Sequence, residues 1–533
     1  MKNKILNLLG VVMALMFFQS CYEDEGNYDY TELSAIEIEG IETSYVKRKL
    51  VDTLSIPVTI NTEYNHDNLK YTWFIYNESK VNYIDAVPVD TISREKDLNY
   101  LVAAEPGNYI LTLKVENTDN QYAVYKSVYL QVTTQFSQGF YILKETADGN
   151  TDLDFCSTNM EMGPDIFANT KGGALKGKPE ILSQMMGHPY IDPATSKRTY
   201  GHAVGITTTE DLCMLRTSDL ATIHTGESMF YGGLESTPRR LARGYLSGLY
   251  FSEDGIYVMP VGKEGSGILG VPKWTGRNVK WVAYDNFHQM TSGFICFDEN
   301  NGDFIFVSTM SSSGSLATYK GDAAEYQPNG ITDKCLFMGM SYFGDRTTTK
   351  NTAYAVFEAT DGTKRLYKLR HAATSAPANP IQSVKVIDSS MKMSQATAFS
   401  VCAFDAPLMY FLSGGKVYYY SFQDESEKEI TLPGIGADET IYYVANKYWA
   451  SLYANYSHNR DWLVVGTTTG NNDYKLYFYK ISGGTPDGEP MYVISGTGKV
   501  ADVQYMYSSW YGNDEFKYQT YTSASYQKLG LCY

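Results

Sequence analysis

Along residues 35–134 apolar and polar positions alternate with a period of two. Ile36 and Ile38 alternate with Glu37 and Glu39, and Leu54, Ile56, Val58 and Ile60 with Ser55, Pro57 and Thr59. Leu69, Tyr71, Trp73 and Ile75 form one face of a further run, as do Tyr109, Leu111, Leu113 and Val115, then Val128, Leu130 and Val132. In an extended chain successive side chains point to opposite faces, so this alternation predicts strands buried on one side. About 100 residues of such strands suit a two-sheet sandwich with Trp73 packed between the sheets.

From residue 136 to 533 a different unit recurs: an apolar strand, a tight turn, a second apolar strand. The turns are Asp148-Gly149, Glu210-Asp211, Asp254-Gly255, Asn300-Asn301-Gly302, Asp361-Gly362, Gly414-Gly415 and Gly470-Asn471-Asn472. Gly, Asn and Asp tolerate the positive φ that two-residue hairpin turns demand, which makes these strong hairpin signals. Their mean step is about 54 residues, within reach of propeller blades once loops are allowed. Seven units then fill 136–533, and a β-propeller would stack them as four-stranded blades about an axis. Two packed sandwiches are the alternative. Residues 524–532 are expected to close the ring against 139–143. The Gly- and Pro-rich run 161–187 is expected to be a long excursion from the first blade.

Composition supports an all-β chain of two to four domains. Of 533 residues, 46 are Tyr against six Trp, and aromatic residues favour pleated surfaces. Residues 1–20 have the proportions of a secretory signal: Lys2 and Lys4, then an apolar run from Ile5 to Phe18 that is short for a membrane span. Phe18-Gln19-Ser20-Cys21 resembles a lipobox, although Phe18 and Gln19 stand where small aliphatic residues are usual. Cys21 would carry the lipid, and each buried methylene of it would add about 0.8 kcal/mol of anchoring. An ordinary cleaved signal peptide is the alternative. Glu23-Asp24-Glu25, directly behind the cysteine, resembles the signal that sends Bacteroidetes lipoproteins to the cell surface. Residues 21–34 read as an acidic tether. Cleavage before Cys21 removes two lysines and takes the formal charge from −16 to −18, which repels phosphate backbones and argues against nucleic acid.

No motif carries chemistry. Gly172-Gly173-Ala174-Leu175-Lys176-Gly177-Lys178 mimics a phosphate loop, but Pro179 stands where a magnesium-binding hydroxyl is needed. Gly265-Ser266-Gly267-Ile268-Leu269-Gly270 is followed by Pro272, so a turn is expected there rather than a dinucleotide helix. Asp298–Gly302 lacks the glutamate and spacing of a calcium loop. The seven histidines are scattered, and no metal or cofactor is expected. In Gly244-Tyr245-Leu246-Ser247-Gly248 the serine is one place out for a hydrolase elbow. The six cysteines after Cys21 are widely spaced, and small buried hydrophobes are expected rather than a disulfide framework. Arg239, Arg240 and Arg243 form the one dense basic patch, expected in a solvated loop. Aromatic residues among Ser, Asn and Gly suggest a glycan or peptide surface: Trp449, Tyr453, Tyr456, Trp510 and Tyr511.

The stretch Pro106 to Asn117 resembles the late strand of polycystic-kidney-disease (PKD) type immunoglobulin-like domains. A Pro-Gly turn leads into Tyr109, and Val115-x-Asn117 ends the strand. Together with Cys21, Glu23 to Glu25 and the opening Gly139-Phe140-Tyr141-Ile142-Leu143, it makes the whole chain resemble the PKD-like family lipoproteins of Bacteroidetes. That resemblance implies a setting beside SusC/SusD-type importers, an accessory role in nutrient uptake, and no catalytic residues. The expectation is therefore a sandwich (35–134) followed by a seven-bladed propeller (136–533). The protein would be lipid-anchored on the outer membrane, facing outward, and non-enzymatic. A propeller hydrolase or lyase acting on a polysaccharide is the alternative.

Overall fold

The computed structural model describes residues 33–77, 88–136, 138–157, 159–192, 196, 198–261, 265–284, 293–319, 325–343, 352–370, 379–451, 460–507 and 530–532. The chain forms two compact units. One comprises Met1–Tyr45, Leu54–Tyr100 and Tyr109–Leu130, the other Val46–Thr53, Leu101–Asn108 and Gln131–Tyr533.

The N-terminal strands form a sandwich. Five of them make one sheet in the order Ser44–Arg48, Ala123–Thr133, Gly107–Asn117, Leu69–Asn77, Asp90–Ser93. Two ribbons complete it: Ile36–Glu39 with Thr59–Thr62, and Thr53–Ile56 with Leu98–Leu101. The alternating run 54–60 is thus split at Pro57, which has no N–H for a ladder. Beyond it the Val58 amide donates to the Asp97 carboxylate at 2.8 Å. Leu54, Ile56, Val58 and Ile60 are all buried, as the period predicts. Trp73 is fully buried, and its indole N–H donates to the Lys96 carbonyl at 3.2 Å.

Seven antiparallel sheets make up the second fold, six of four strands and one of six. Blade 1 consists of Lys499–Tyr507, Gln138–Glu145, Thr151–Ser157 and Met162–Gly163. Blade 2 is Pro179–Ile191, Arg198–Thr208, Leu212–Arg216 and Thr222–Thr225; blade 3 is Pro238–Arg243, Ser247–Ser252, Gly255–Pro260 and Trp274–Thr275. Blade 4 is Val279–Tyr284, Gly293–Asp298, Asp303–Ser308 and Ser315–Thr318; blade 5 is Lys334–Ser341, Thr352–Glu358, Lys364–Arg370 and Ile381–Val386. Blade 6 is Ala398–Val401, Leu408–Ser413, Lys416–Ser421 and Glu427–Glu429; blade 7 is Thr440–Ser451, Arg460–Thr468, Asp473–Ser482 and Tyr492–Thr497, enlarged by Thr485–Pro486 and Gly530–Cys532. Each first strand packs against the first strand of the next blade, and blade 7 returns to blade 1, so the first strands surround the axis.

All seven hairpins expected from the turns join the second and third strands of a blade. These middle strands are apolar without alternation because both faces are covered. Phe140 and Ile142 point into the seam between blades 7 and 1, whereas Tyr141 and Leu143 point into the seam between blades 1 and 2. Each of the other five seams is filled in the same way by its own apolar cluster.

Three expectations need correction. The ring is closed by Lys499–Tyr507, which pairs along Gln138–Glu145, and not by 524–532; Gly530–Cys532 pairs instead with Trp449–Ser451. The closing strand brings Val500, Val503, Tyr505 and Met506 into the core, whereas 524–532 has only Leu529 and Leu531 as large aliphatic residues. The run 161–187 is not all excursion. A short helix, Ile166–Thr170, and a loop lead into blade 2, whose first strand begins at Pro179. Arg239, Arg240 and Arg243 lie on the first strand of blade 3 rather than in a solvated loop. Arg239 reaches Asn278 Oδ1 and Arg240 the Val282 carbonyl on the next blade, both at 3.4 Å.

Cys156, Cys213, Cys296, Cys335 and Cys402 are buried free thiols. The calcium-like stretch is a hairpin turn. The Asp298 carboxylate accepts from Arg277 at 2.7 Å, from Asn301 Nδ2 at 2.6 Å and from the Asn278 amide at 3.0 Å. Gly302 ends that turn at φ +67°, where a Cβ would lie 2.3 Å from the Ile331 carbonyl oxygen; Gly362, at φ +84°, has open space around it. Gly362→Ala is expected to cost about 1–2 kcal/mol for the left-handed backbone. Gly302→Ala should cost at least about 1 kcal/mol more, because its neighbour must also move. Thermal midpoints of the two variants check this, and equal shifts would overturn it.

Candidate functional site

Strand direction makes the two edges of the ring different. Antiparallel pairing returns each second-to-third turn to the edge where the first strands begin. The first-to-second and third-to-fourth connections lie at the opposite edge. The second-to-third turns are short, and the third-to-fourth connections run to 13 residues between Pro260 and Trp274 in blade 3; the connections between blades, up to 15 residues between Gly163 and Pro179, lie on the first edge. Long connections on a rigid scaffold are where binding residues concentrate.

Five exposed apolar side chains of blades 2–5 gather at the second edge, while Tyr231 and Val386 are exposed in or beside connections between blades. Ile191 ends the first strand of blade 2, Tyr245 and Leu246 form the first turn of blade 3, Met310 follows the third strand of blade 4, and Phe343 follows the first strand of blade 5. All five are between 38% and 50% exposed. None of the exposed large apolar residues lies in a second-to-third turn. The Tyr245 amide donates to Thr309 Oγ1 at 3.0 Å and the Leu246 amide to the Thr309 carbonyl at 2.9 Å, which joins this rim across blades 3 and 4. Sequence reasoning missed the rim because each residue stands singly in a turn and belongs to no period.

Deeper at this edge, three rings from three blades meet. Tyr342 stacks on Phe404 at 5.0 Å between centroids, and Tyr448 meets Phe404 edge-on at 4.9 Å. All three are less than a tenth exposed, so they pack the edge rather than offer an open surface. Beside them Asp461 is held by Asn446 Nδ2 at 2.5 Å and by the Phe404 and Asp405 amides at 3.3 and 3.2 Å. Asn446 also accepts from the Ala403 amide at 2.8 Å. Burial, with the charge of Asp405 adding to it, pushes the Asp461 carboxyl up to about 6 against these hydrogen bonds. It can therefore exchange a proton near neutrality. The Asp405 carboxylate is engaged by the Gly484 amide at 2.5 Å. Among the described residues no group of three or more His, Cys, Asp or Glu side chains could hold a metal ion.

The aromatic residues singled out from the sequence are only partly visible. Trp449 lies on the first strand of blade 7, paired in register with Arg460 and Cys532. Tyr453, Tyr456, Trp510 and Tyr511 lie outside the described residues, as do Cys21, Glu23, Asp24 and Glu25. Among the described residues no helix is long and apolar enough to cross a membrane.

Residues 21–179 match the model of the PKD-like family, a stretch that spans the sandwich and the outer three strands of blade 1. No curated protein matches the chain. Similar solved structures include a quinonprotein alcohol dehydrogenase-like protein from Bacteroides thetaiotaomicron VPI-5482, 14% identical over 88% of this chain and 98% of that one, with a TM-score of 0.40. Apo AztD from Citrobacter koseri is 10% identical over 81% and 99%, with a TM-score of 0.36. PorZ, a surface component of the type-IX secretion system of Porphyromonas gingivalis, is 10% identical over 67% and 52%, with a TM-score of 0.30. The seven-bladed ring itself is established by the strand pairings.

Proposed function

We propose that this chain is a lipoprotein anchored through Cys21 on the outer face of the outer membrane, where it acts without catalysis as a binding and accessory subunit for nutrient capture. The nutrient would be a glycan or peptide, and the neighbour a SusC/SusD-type importer. The observation that carries the binding role is a cluster on one edge: exposed Ile191, Tyr245, Leu246, Met310 and Phe343 stand together on neighbouring blades 2–5, while the second-to-third hairpins among the described residues carry no exposed large apolar side chain. Exposed apolar residues gathered on one face mark interaction sites, whereas single scattered ones do not. The lipobox-like Cys21, the acidic run behind it and the PKD-like match from residue 21 support the anchoring. Two proteins confined to one membrane meet at high effective concentration, so a weak interface suffices.

The expected result for Cys21→Ala is a folded protein in the soluble fraction. Replacing Glu23, Asp24 and Glu25 with Ala should keep the protein in the membrane but shield it from protease added to whole cells. A Cys21→Ala protein that still fractionates with the outer membrane would falsify the anchor. Importer subunits co-purifying at near-stoichiometric amounts after mild detergent extraction support the accessory role. A second reading, a hydrolase or lyase acting on a polysaccharide, is favoured by the raised carboxyl of Asp461 beside a cluster of buried aromatic rings. It predicts polysaccharide cleavage that Asp461→Asn abolishes.

A further inference from the structure

Three of the chain's seven histidines, up to 36 residues apart, come to one blade. His188 stands on the first strand of blade 2, His202 on the second and His224 on the fourth. The pairing register shifts between Met185 and His188, a bulge that redirects the end of the strand. The His188 and His224 rings then lie 5.2 Å apart and nearly perpendicular. Both are buried, His188 completely. Neither ring nitrogen of His188 has a hydrogen-bond partner, nor does Nε2 of His224, although the Pro189 carbonyl lies close enough to His224 to favour its protonated form.

A segment of the neighbouring blade covers this pair. Gly265–Leu269, from the connection between the third and fourth strands of blade 3, reaches back over blade 2. The Leu269 amide donates to the Met229 carbonyl at 2.7 Å, the Tyr231 amide donates to the Leu269 carbonyl at 3.1 Å, and the Arg198 guanidinium holds the Gly265 carbonyl. The fit is close. A Cβ on Gly267 would lie 1.9 Å from the Pro189 carbonyl oxygen and 3.1 Å from His224 Nε2. The glycine-rich run with no nucleotide role is thus a seat on the histidines.

The charged and titratable groups around the pair are mostly cationic. Tyr190 is on the first strand of blade 2, Arg198 and His202 on the second, Arg216 on the third, and Arg243 on the first strand of blade 3. Gly265–Leu269 brings none. The carboxylates of this corner, Asp192 and Asp219, are held by Arg216 at 2.5 and 2.6 Å. Burial, then His224 and Arg243, holds His188 well below the ordinary histidine range, and burial brings His224 down to about 4.

We infer that the His188–His224 pair is an acid-responsive latch: while both rings are neutral Gly265–Leu269 stays seated on blade 2, and proton uptake unseats it. A proton on either ring would create a buried charge with no anionic partner, on His224 beside a second imidazole and glycine backbone and on His188 beside Arg243 as well, which the Pro189 carbonyl offsets only in part. A buried charge without a partner is costly, and opening the seat admits water to solvate it. The connection lies on the edge with the exposed apolar rim, so its release reshapes that edge at acid pH.

The sign follows from proton binding. The open form has histidines near their ordinary value of 6.5, so below it the open form binds more protons and the seat loosens as pH falls. Hydrogen exchange by mass spectrometry on the full chain, corrected for intrinsic rates, tests this between about pH 7.5 and about pH 5. Peptides 226–235 and 265–273 should lose protection by close to tenfold per pH unit for each proton taken up, while the blade 6 hairpin 408–421 keeps its own. In His188→Gln/His224→Gln the loss should vanish. Protection in 265–273 that is flat with pH, or that falls only in step with 408–421, overturns the latch. The wild-type profile decides this even if the double variant fails to fold.

Discussion

Replacing Lys144 with methionine should lower the stability of the propeller by about 3–5 kcal/mol, the cost of leaving a buried charge without its partner. Lys144 and Asp154 are on neighbouring strands of blade 1, both essentially inaccessible, with the ammonium 2.6 Å from Asp154 and 2.7 Å from the half-exposed Asp165. Asp154 also accepts the Tyr474 hydroxyl of blade 7 at 2.7 Å, so the charge sits at the seam where the ring closes. Removing Lys144 leaves Asp154 with neutral donors only. Lys144→Met/Asp154→Leu should recover part of the loss, because two apolar groups can replace a buried pair at little cost, while the buried Tyr474 hydroxyl loses its acceptor. Denaturant midpoints of the two single variants and the double variant measure this. A Lys144→Met protein within about 1 kcal/mol of wild type would mean that water already reaches the pair.

Trp462→Ala should cost about 3–5 kcal/mol, for a different reason. Trp462 is 2% exposed on the second strand of blade 7, and its ring lies 6.0 Å from Phe140, 6.2 Å from Phe478 and 5.9 Å from Tyr505. Phe140 and Tyr505 come from the two chain segments that pair to close the ring, so the cavity would open at the closure. Hydrogen exchange in 138–145 and 499–507 should accelerate before that of the blade 4 hairpin 293–308. Acceleration spread evenly over all blades would show that this seam is no weaker than the others. Trp462→Phe, which keeps a ring in place, should cost less than half as much.

Both effects arise at the closure, the point where reading the chain alone failed. The strand at 499–507 lacks strict alternation, since Asp502 and Val503 are both buried; Asp502 accepts Lys447 at 2.6 Å and the Leu182 amide at 3.0 Å. Those partners lie on two other blades, so no local pattern announces that a buried carboxylate belongs there. The C-terminal run to Cys532, by contrast, looked apolar enough to close the ring, but its described part, Gly530–Cys532, pairs at the end of the first strand of blade 7. Closure is decided by which strand can fill the seam containing Phe140 and Trp462, a property of several distant segments at once.

The sequence by itself determined what local chemistry determines. Seven turns rich in Asp, Gly and Asn mark seven hairpins: five of them hold a residue at positive φ, which those residues tolerate, while Glu210-Asp211 and Asp254-Gly255 turn without one. The period-two runs placed Leu54, Ile56, Val58, Ile60 and Trp73 in the sandwich core, because side-chain direction in a strand depends only on position along it. The all-β class and the propeller followed from these. Tertiary structure alone decided which groups meet. Asp461 is raised because the closed ring buries it, with the charge of Asp405 adding to that, His188 finds His224 only through a bulge, and a rim of single residues becomes a face only when four blades stand side by side. A local rule acts through neighbouring bonds. A site acts through space, and only the closed ring brings its members within a few ångströms of one another.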